Sequence, residues 1–215
     1  MLKMTVVAAV AAVSITAAAW NTNNWQGPDG GSWNDPKNWS LERVPTAEDT
    51  AFLVDMGGPY TINVTGDHRI FCLMVGVESE ATVQGTVTLS GSGSITAVGG
   101  KENYIRPKRG LIVDGPDLHL DNSNLMIYGP LTVKDGSTMT IKGYNLTMWI
   151  QTPSVTVEGG TLDVGQAIRC RNSSPITVSG GVLKCASLIH YSGYTPSQIR
   201  LSITGGDFIT ESIEM

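Results

Sequence analysis

Cysteine is scarce in this sequence, and so is positive charge. The 215 residues include three cysteines, and the 14 basic residues are outnumbered by 19 acidic ones. Three cysteines are too few for a scaffold of this length held together by disulfides. Cys72, Cys170 and Cys185 fall on different predicted strands, and we expect them to stay unpaired. The net charge of −5 argues against nucleic acid as a partner, because nucleic acid selects basic surfaces.

The sequence also lacks the patterns of several enzyme classes. It contains no Walker or dinucleotide-binding glycine loop and no nucleophile-elbow serine. No run of about ten residues in the mature part shows the 3.6-residue periodicity of a helix. The mature chain is therefore predicted to be all-β, with 25 glycines to supply its turns.

One long apolar run is present, at the N-terminus. Lys3 precedes an alanine-rich stretch from Met4 to Ala19 that ends in small residues, which is typical of a secretory signal peptide. The stretch is short for a bilayer span of about 20 residues, although an uncleaved anchor is the alternative. We predict a signal peptide over residues 1–19 and a secreted or cell-surface protein with no membrane span after cleavage.

A repeat carries the strongest fold prediction. Seven segments share an apolar residue, a variable residue and a second apolar residue, followed by a polar residue and a glycine turn. They begin at Ile62, Val87, Leu111, Leu131, Val155, Ile176 and Leu201, so the period is 20 to 25 residues. This alternation predicts a strand with one buried face. Two or three short strands in each period predict one coil of a solenoid.

The predicted fold is a right-handed parallel β-helix of about seven coils over residues 59–215. The first apolar residues of the repeats should form one inward column, and the second ones, from Val64 to Ile203, should form another. An outward hydroxyl ladder is expected from Thr132, Thr156, Thr177 and Ser202. A β-sandwich of hairpins is the alternative, but it gives no reason for the long period.

Residues 20–58 form a tryptophan-rich segment, which we predict to be an N-terminal cap. Trp20, Trp25, Trp33 and Trp39 lie among asparagine, glycine and proline. A solenoid needs a cover over the apolar core and the unpaired strand edge at its end. Large aromatic side chains on an irregular loop suit that purpose. Stacking of these tryptophans on sugar rings is the alternative.

The same region resembles a known group of proteins. Gly31 to Ser40 reads GSWNDPKNWS, Val44-Pro45 and Asp49 to Phe52 follow, and Thr86 to Thr96 reads TVTLSGSGSIT. These segments resemble the opening of secreted bacterial parallel β-helix proteins, which include pectin-lyase-like enzymes and autotransporter-passenger-like surface proteins. The resemblance covers residues 30–100 and implies the fold and export. It implies no particular activity, because activity differs within the group.

One acidic cluster on a predicted strand suggests a metal site. Asp117, His119 and Asp121 alternate with Leu118 and Leu120, so the three polar side chains should share the solvent face if the leucines point inward. Carboxylates and an imidazole could hold Ca²⁺ or a transition metal. Strands commonly carry such polar faces without a ligand, which is the alternative. Calcium is the one cofactor that we consider.

An aromatic and basic row is the predicted ligand surface. If Ile168 and Cys170 point inward, neighbouring basic side chains point outward, and the preceding coils add Trp149, then Met126 and Tyr128, then Tyr104 or Arg106. The candidate glycan-binding residues are Tyr128, Trp149, Arg169, Arg171 and His190, with His190 in register on the next coil. Such a row suits an extended glycan, including an acidic one. An ordinary solvated face is the alternative.

The predicted last coil is incomplete. It begins at Leu201, and Ile203, Phe208 and Ile213 should lie at an open end that favours self-association through strand edges. A longer chain that continues the solenoid is the alternative. We therefore predict an exported structural β-helix protein of the cell surface or extracellular matrix, with adhesion as one use. A glycan-binding module and a polysaccharide lyase or glycosidase are the alternatives, and no catalytic residue is assigned.

Overall fold

The computed structural model describes residues 21–54, 56–76, 85–100, 102–121, 123–149, 153–171, 174–190 and 199–214. Over these residues the chain is all-β and forms a parallel β-solenoid of about six turns. This confirms the predicted fold class, and the number of turns is close to the predicted number of coils. The predicted signal peptide and Trp20 lie outside the described residues.

Short strands follow one another along the chain. In order they are β1 (Asn21–Asn24), β2 (Gly31–Ser32), β3 (Asp49–Leu53), β4 (Tyr60–Val64), β5 (Asp67–Ile70), β6 (Cys72–Val75), β7 (Gly85–Gly91), β8 (Ser94–Ala97), β9 (Asn103–Ile105), β10 (Arg109–Asp114), β11 (Asp117–Asp121), β12 (Leu125–Ile127), β13 (Pro130–Lys134), β14 (Thr138–Lys142), β15 (Leu146–Met148), β16 (Ser154–Cys170), β17 (Pro175–His190), β18 (Arg200–Ile203) and β19 (Asp207–Glu214). The one helix among the described residues is a 3-10 helix, Pro36–Asn38.

These strands stack into three parallel sheet faces. Face A contains β2, β4, β7, β10, β13 and β18. Face B contains β5, β8, β11 and β14, and face C contains β1, β3, β6, β9, β12 and β15. The long strands β16 and β17 bend and run through all three faces, and β19 covers faces B and C of the last coil.

The interior follows the predicted alternation. On face A, the first inward column includes Val87, Leu111, Leu131, Val155 and Ile176, and the second includes Leu89, Val113, Val133, Val157 and Val178, all at most 2% exposed. The strand registers pair these residues coil by coil. Outward, the hydroxyl ladder is confirmed, because Thr132, Thr156, Thr177 and Ser202 are also paired in successive coils.

The first coil departs from the predicted register. The predicted pairing of Ile62 with Val87 is wrong, because Ile62 lies opposite Leu89. The shift of two residues keeps the same side chains inward, so the apolar pattern alone does not reveal it. The position of the turn glycine accounts for the shift. The repeat aligns Gly66 with Gly91, but Gly66, with φ +74°, directly precedes β5 and corresponds to Gly93, which directly precedes β8.

Glycine is required where the bends of successive coils meet. Gly91 has φ +119° and Gly115 has φ +108°. A Cβ atom on Gly91 would lie 2.2 Å from the carbonyl oxygen of Val64, and one on Gly115 would lie 2.2 Å from the carbonyl oxygen of Gly91. Side chains at these positions would therefore push the coils apart.

The tryptophan-rich segment extends the core at its N-terminal end. Strands β1 and β2 pair with β3 and β4, and Trp25, Trp33 and Trp39 are at most 1% exposed. The Trp39 ring lies edge-on to the other two, with centroids 5.2 Å from Trp25 and 4.7 Å from Trp33. Its Nε1 donates to the carbonyl of Trp33 at 2.8 Å. These three buried rings present no face to a sugar, so the alternative interpretation of them as a stacking platform is wrong.

An ion pair fixes the chain between the tryptophans and the first full coil. The fully buried Asp49 carboxylate accepts two hydrogen bonds from Arg43, one of them 2.6 Å long. It also accepts from the backbone N–H and the hydroxyl of Thr46, both at 2.8 Å. Burial by itself raises the pKa of Asp49, but the hydrogen bonds from Arg43 and Thr46 outweigh it, so this pKa lies below its ordinary value.

The three cysteines are buried and none of them forms a disulfide bond, as predicted. Burial raises the pKa of Cys170 to about 12, so this thiol stays protonated at neutral pH and is a poor nucleophile. Within the part of the chain that the structure describes, no helix is long and apolar enough to cross a bilayer.

Candidate functional site

Face C presents aromatic and basic side chains in successive coils. Strands β9, β12 and β15 have three residues each, and the middle side chain of such a strand points away from the two beside it. In β9 and β12 the outer residues are buried, and the middle residues Tyr104 and Met126 are half-buried. Register pairs Tyr104 with Met126, Met126 with Thr147, and Thr147 with Arg169 in β16.

A second row runs beside the first, at the bend that follows each strand. The backbone N–H groups of Arg106, Tyr128, Trp149 and Arg171 donate to carbonyls of the preceding coil at 2.8–3.1 Å. These hydrogen bonds hold the four residues one above another at the coil spacing of about 4.8 Å. We call the two rows together the aromatic–basic stripe: Tyr104, Met126, Thr147 and Arg169 in the first row, and Arg106, Tyr128, Trp149 and Arg171 in the second.

Guanidinium groups lie over aromatic rings at both ends of the stripe. The Cζ atom of Arg171 lies 3.6 Å from the ring centroid of Trp149, and that of Arg106 lies 4.3 Å from the ring centroid of Tyr104. Between them, the Tyr128 and Trp149 rings are 5.9 Å apart and inclined by 47°. Cation–π contacts of this kind restrict the rotamers of the two arginine side chains.

The stripe carries more positive than negative charge. It contains three arginines and no acidic residue of its own, and Oε2 of the neighbouring Glu102 accepts a hydrogen bond from the hydroxyl of Tyr104. Burial, followed by the bond to Glu102, raises the pKa of Tyr104 to about 12. The phenol is therefore neutral at physiological pH. The described stripe thus offers guanidinium and aromatic groups, which suit ligands that carry carboxylates, sulfates and C–H faces.

The structure brings most of the predicted glycan-binding residues together. Tyr128, Trp149 and Arg171 form contacts in the second row, and Arg169 lies in the first row beside Thr147. Glu102, which precedes β9, was not among the predicted residues. Its place two residues before Tyr104 is the signal that could have identified it, because side chains two apart share one side of an extended chain.

His190 does not join the stripe, and its predicted register is wrong. It lies opposite Cys170, which is fully buried, and Ile189 lies opposite Arg169. The cause is a bend of unequal length: two residues, Gly165 and Gln166, separate faces B and C in β16, where β17 has one. A one-residue slip exchanges inward and outward positions, so His190 takes an inward column position near the end of the solenoid.

The predicted metal-binding residues lie on the outward side of face B. Asp117, His119 and Asp121 are half-buried, and the first two contact the next coil. Asp117 Oδ1 accepts from the backbone N–H of Thr138 at 2.9 Å, and His119 Nδ1 lies 2.8 Å from Thr140 Oγ1. Among the described residues, no group of three or more His, Cys, Asp or Glu side chains is placed to hold a metal ion. Calcium binding here stays a prediction.

A groove of about 500 Å³ runs beside this metal candidate. His119, Asp121, Lys142 and Asp163 line it, and Gly143 and Gly165 widen it because they carry no side chain. Its charged groups have mixed sign, and Asp163 is 3.4 Å from Lys184. The groove therefore offers a polar surface of low net charge, without the aromatic groups of the stripe.

The last described coil exposes apolar side chains. Ile203, Ile209 and Ile213 are 50%, 50% and 51% exposed, although Ile203 and Ile213 continue inward columns opposite Val178 and Leu188. Strands β18 and β19 pair with β17 on one side. The predicted self-association through this end stays a prediction.

Searches against family models, curated proteins and solved structures yield no match for this chain. The resemblance to secreted bacterial β-helix proteins thus remains a sequence-based prediction, and the parallel β-solenoid is the result that the structure supplies. A function has to be argued from the stripe and from the coil stacking.

Proposed function

We propose that this chain is a structural β-solenoid exported to the cell surface or the extracellular matrix. The observation that supports this is the uniform stacking of its coils. Two inward columns on face A run from β7 to β17 in one register, and outward hydroxyls pair along the same face. A stack in which each coil supports its neighbours is suited to hold a fixed length and to present side chains at fixed intervals.

Localisation and N-terminal sequencing test this proposal. Expression of the full chain in a bacterial host should yield a mature protein that starts near Trp20, recovered outside the cytoplasm. A matched variant, Val7→Arg with Val13→Arg, interrupts the apolar run with two charges and should keep the precursor inside the cell at full length. Processing that is the same for both chains, or retention of both, would contradict export.

A second candidate function, glycan binding, rests on the aromatic–basic stripe. Aromatic rings offer flat apolar surfaces to the C–H faces of sugars, and stacked guanidinium groups direct their N–H groups along their own plane. In the stripe these groups recur in successive coils, with Arg171 over Trp149 and Arg106 over Tyr104. An extended glycan laid along the solenoid axis could therefore contact several coils at once.

The charge of the stripe favours an acidic glycan over a neutral one. The arginines sit at both ends and in the first row, so carboxylates or sulfates along the chain would meet a guanidinium more than once. Several weak contacts along one polymer add through effective concentration. Binding should consequently weaken as salt is raised, because exposed charge pairs are screened within about 8–10 Å at physiological ionic strength.

Titration with uronic-acid oligosaccharides of increasing length tests glycan binding. Trp149→Ala and Arg171→Gln should each reduce affinity about tenfold, the effect of losing one contact worth about 1.4 kcal/mol. Tyr144→Ala is the matched control, because Tyr144 is an exposed aromatic residue (39%) outside the stripe. A loss of affinity in the control equal to that in the stripe variants, or no binding by the parent chain, would contradict the proposal.

The same polymers separate binding from catalysis. A polysaccharide lyase or glycosidase would shorten them, and reducing-end release from the full chain measures this directly. A binding module leaves the polymer length unchanged while still retaining the polymer on an affinity column. Depolymerisation that disappears in Arg171→Gln would replace the binding proposal with an enzymatic one.

A further inference from the structure

The sequence contains three Asp–Gly pairs, at Asp29, Asp114 and Asp135. Such pairs can rearrange without an enzyme. Glycine has no side chain, so its own backbone nitrogen is sterically open to the carboxyl group of the preceding aspartate. The local geometry decides whether the nitrogen can reach that group, since reacting atoms have to approach within about 3–3.5 Å in a suitable orientation. The three pairs of this chain differ in that respect.

At two of the pairs the glycine nitrogen is engaged elsewhere. Gly30 N donates to the carbonyl of Thr61 at 2.9 Å, and the Asp29 carboxylate accepts from the Thr61 N–H at 2.8 Å. Gly115 N donates to the Ser137 hydroxyl at 2.6 Å, and Asp114 lies 3.4 Å from the Lys134 ammonium group. In both pairs the carboxylate and the nitrogen are engaged with different partners, so attack on the carboxyl carbon would first require these contacts to be released.

At the third pair the two groups face each other. Gly136 N donates to Oδ1 of Asp135 at 3.1 Å, so the nitrogen already lies beside the carboxyl group that it would attack. Both residues are exposed. Gly136 has φ +76°, and apart from its two chain neighbours no described heavy atom lies within 4 Å of the position that its Cβ would occupy. The turn therefore has room for the change of backbone torsion that ring closure requires.

We propose that Asp135 is a site of spontaneous conversion to isoaspartate in the folded protein. The Gly136 nitrogen attacks Cγ of protonated Asp135, and a C–N bond forms. One water molecule leaves, made of the carboxyl hydroxyl group and the proton of the Gly136 nitrogen. Addition of one water to the resulting succinimide then breaks the bond between the ring nitrogen and one of the two carbonyl carbons. One product is aspartate, and the other is isoaspartate, in which the backbone runs through Cβ and Cγ. The reaction consumes no oxidant or reductant.

The product would alter the turn between β13 and β14. Isoaspartate lengthens the backbone by one methylene group at a bend that packs closely on the next coil, where a Cβ on Gly160 would lie 2.2 Å from the carbonyl oxygen of Lys134. The modified turn would also displace Ser137, which is 2% exposed and binds Gly115 N. The modification therefore acts on the stacking of three coils in the middle of the solenoid.

Site-resolved mass spectrometry tests the proposal. The folded chain is incubated at physiological temperature in mildly acidic buffer, digested, and analysed with electron-transfer fragmentation, which distinguishes isoaspartate from aspartate. Isoaspartate at position 135 should accumulate about tenfold faster than at positions 29 and 114, an effect of local orientation. In urea, where the chain is unfolded, the three rates should converge.

Two variants sharpen the test. Asp135→Asn closes the same ring with loss of ammonia, so the folded variant should deamidate rapidly at this position. Asp135→Glu keeps the charge but would need a larger ring, and it should stay unmodified. Equal rates at the three positions in the folded chain, or a faster rate at position 29 or 114, would overturn the proposal. So would an Asp135→Asn variant that deamidates no faster when folded than when unfolded.

Discussion

Large apolar side chains differ in exposure between the first and the last described coils of the solenoid. At the N-terminal end, Trp25, Trp33 and Trp39 are at most 1% exposed, and strands β1 and β2 pair with β3 and β4. At the other end, Ile203 and Ile213 stand in inward columns and are nevertheless 50% and 51% exposed. An inward orientation therefore does not bury a side chain in this fold. Burial also depends on what packs against the two sides of the coil.

The largest expected effect comes from charging one inward column at two depths. Val157→Asp places an unpaired carboxylate between two coils and should cost more than about 4 kcal/mol of unfolding free energy. Ile203→Asp, in the same column, should cost less than about 1 kcal/mol because water reaches it. Urea denaturation measures both, with outward Thr156→Asp as the control. Similar losses at positions 157 and 203 would mean that the last coil is covered in solution.

Removal of a large side chain at each end should give the next largest difference. Trp39→Ala removes a buried ring that contacts two others and should cost about 3–5 kcal/mol. Phe208→Ala removes a half-buried ring in the last described coil and should cost clearly less. Thermal unfolding followed by circular dichroism measures both variants. A larger loss for Phe208→Ala than for Trp39→Ala would contradict the role given to the tryptophan segment.

Acid should loosen the N-terminal end before the middle of the solenoid. The pKa of Asp49 is lowered in the folded chain, so its contribution is present above the ordinary aspartate pKa of about 3.9 and is lost as pH falls through the lowered value. Asp49→Asn should cost about 1–3 kcal/mol at neutral pH and should flatten the acid limb of the stability curve. Hydrogen exchange of β3 as a function of pH measures this. Asp135→Asn is a poor control because the introduced asparagine can deamidate. Asp163→Asn serves as the control instead.

The variant with the smallest expected change in folding free energy is one that should reduce self-association of the chain. Ile203→Lys with Phe208→Lys should leave the coils from β7 to β17 folded while adding charge to the last described coil. We predict that the parent chain self-associates through β18 and β19, and that this variant reduces the association. Light scattering over a range of concentrations measures it, and Thr61→Lys on the opposite end is a control for added charge. A parent chain that is monomeric at all concentrations would contradict the prediction.

The sequence predicts the solenoid well because its repeat is long and because apolar and polar residues alternate within each strand. The columns from Val87 to Ile176 depend on a two-residue alternation that the sequence shows directly. The shift at Ile62 and the slip at His190 were not predictable in the same way. The slip at His190 arises from bend length, because a bend with one residue more or fewer changes the register of the next face without changing the apolar pattern of either strand. The shift at Ile62 occurs beside a bend of unchanged length, where Gly66 corresponds to Gly93 and not to Gly91.

The sequence predicted most of the residues that form the aromatic–basic stripe, but it did not predict which of their side chains touch. The alternation around Cys170 correctly placed Arg169 and Arg171 outward, and Trp149 and Tyr128 followed from the period. The stacking of Arg171 on Trp149 depends on side-chain torsions at a bend, which the spacing does not determine. The Arg43–Asp49 pair was missed for a related reason: two charged residues six apart on a loop carry no periodic signal.

The bends between the faces also determine which mutations the fold can accept. Gly165 and Gln166 in one coil occupy a bend that the next coil spans with Ala186 alone, and both coils still pair on faces B and C. A bend can thus gain or lose a residue while the strands on either side stay in the sheet. Insertions and deletions at bends would then exchange which side chains a face displays to its surroundings. Over generations, a chain of this kind could change its outer surface coil by coil while its interior continued to be built from the same apolar residues.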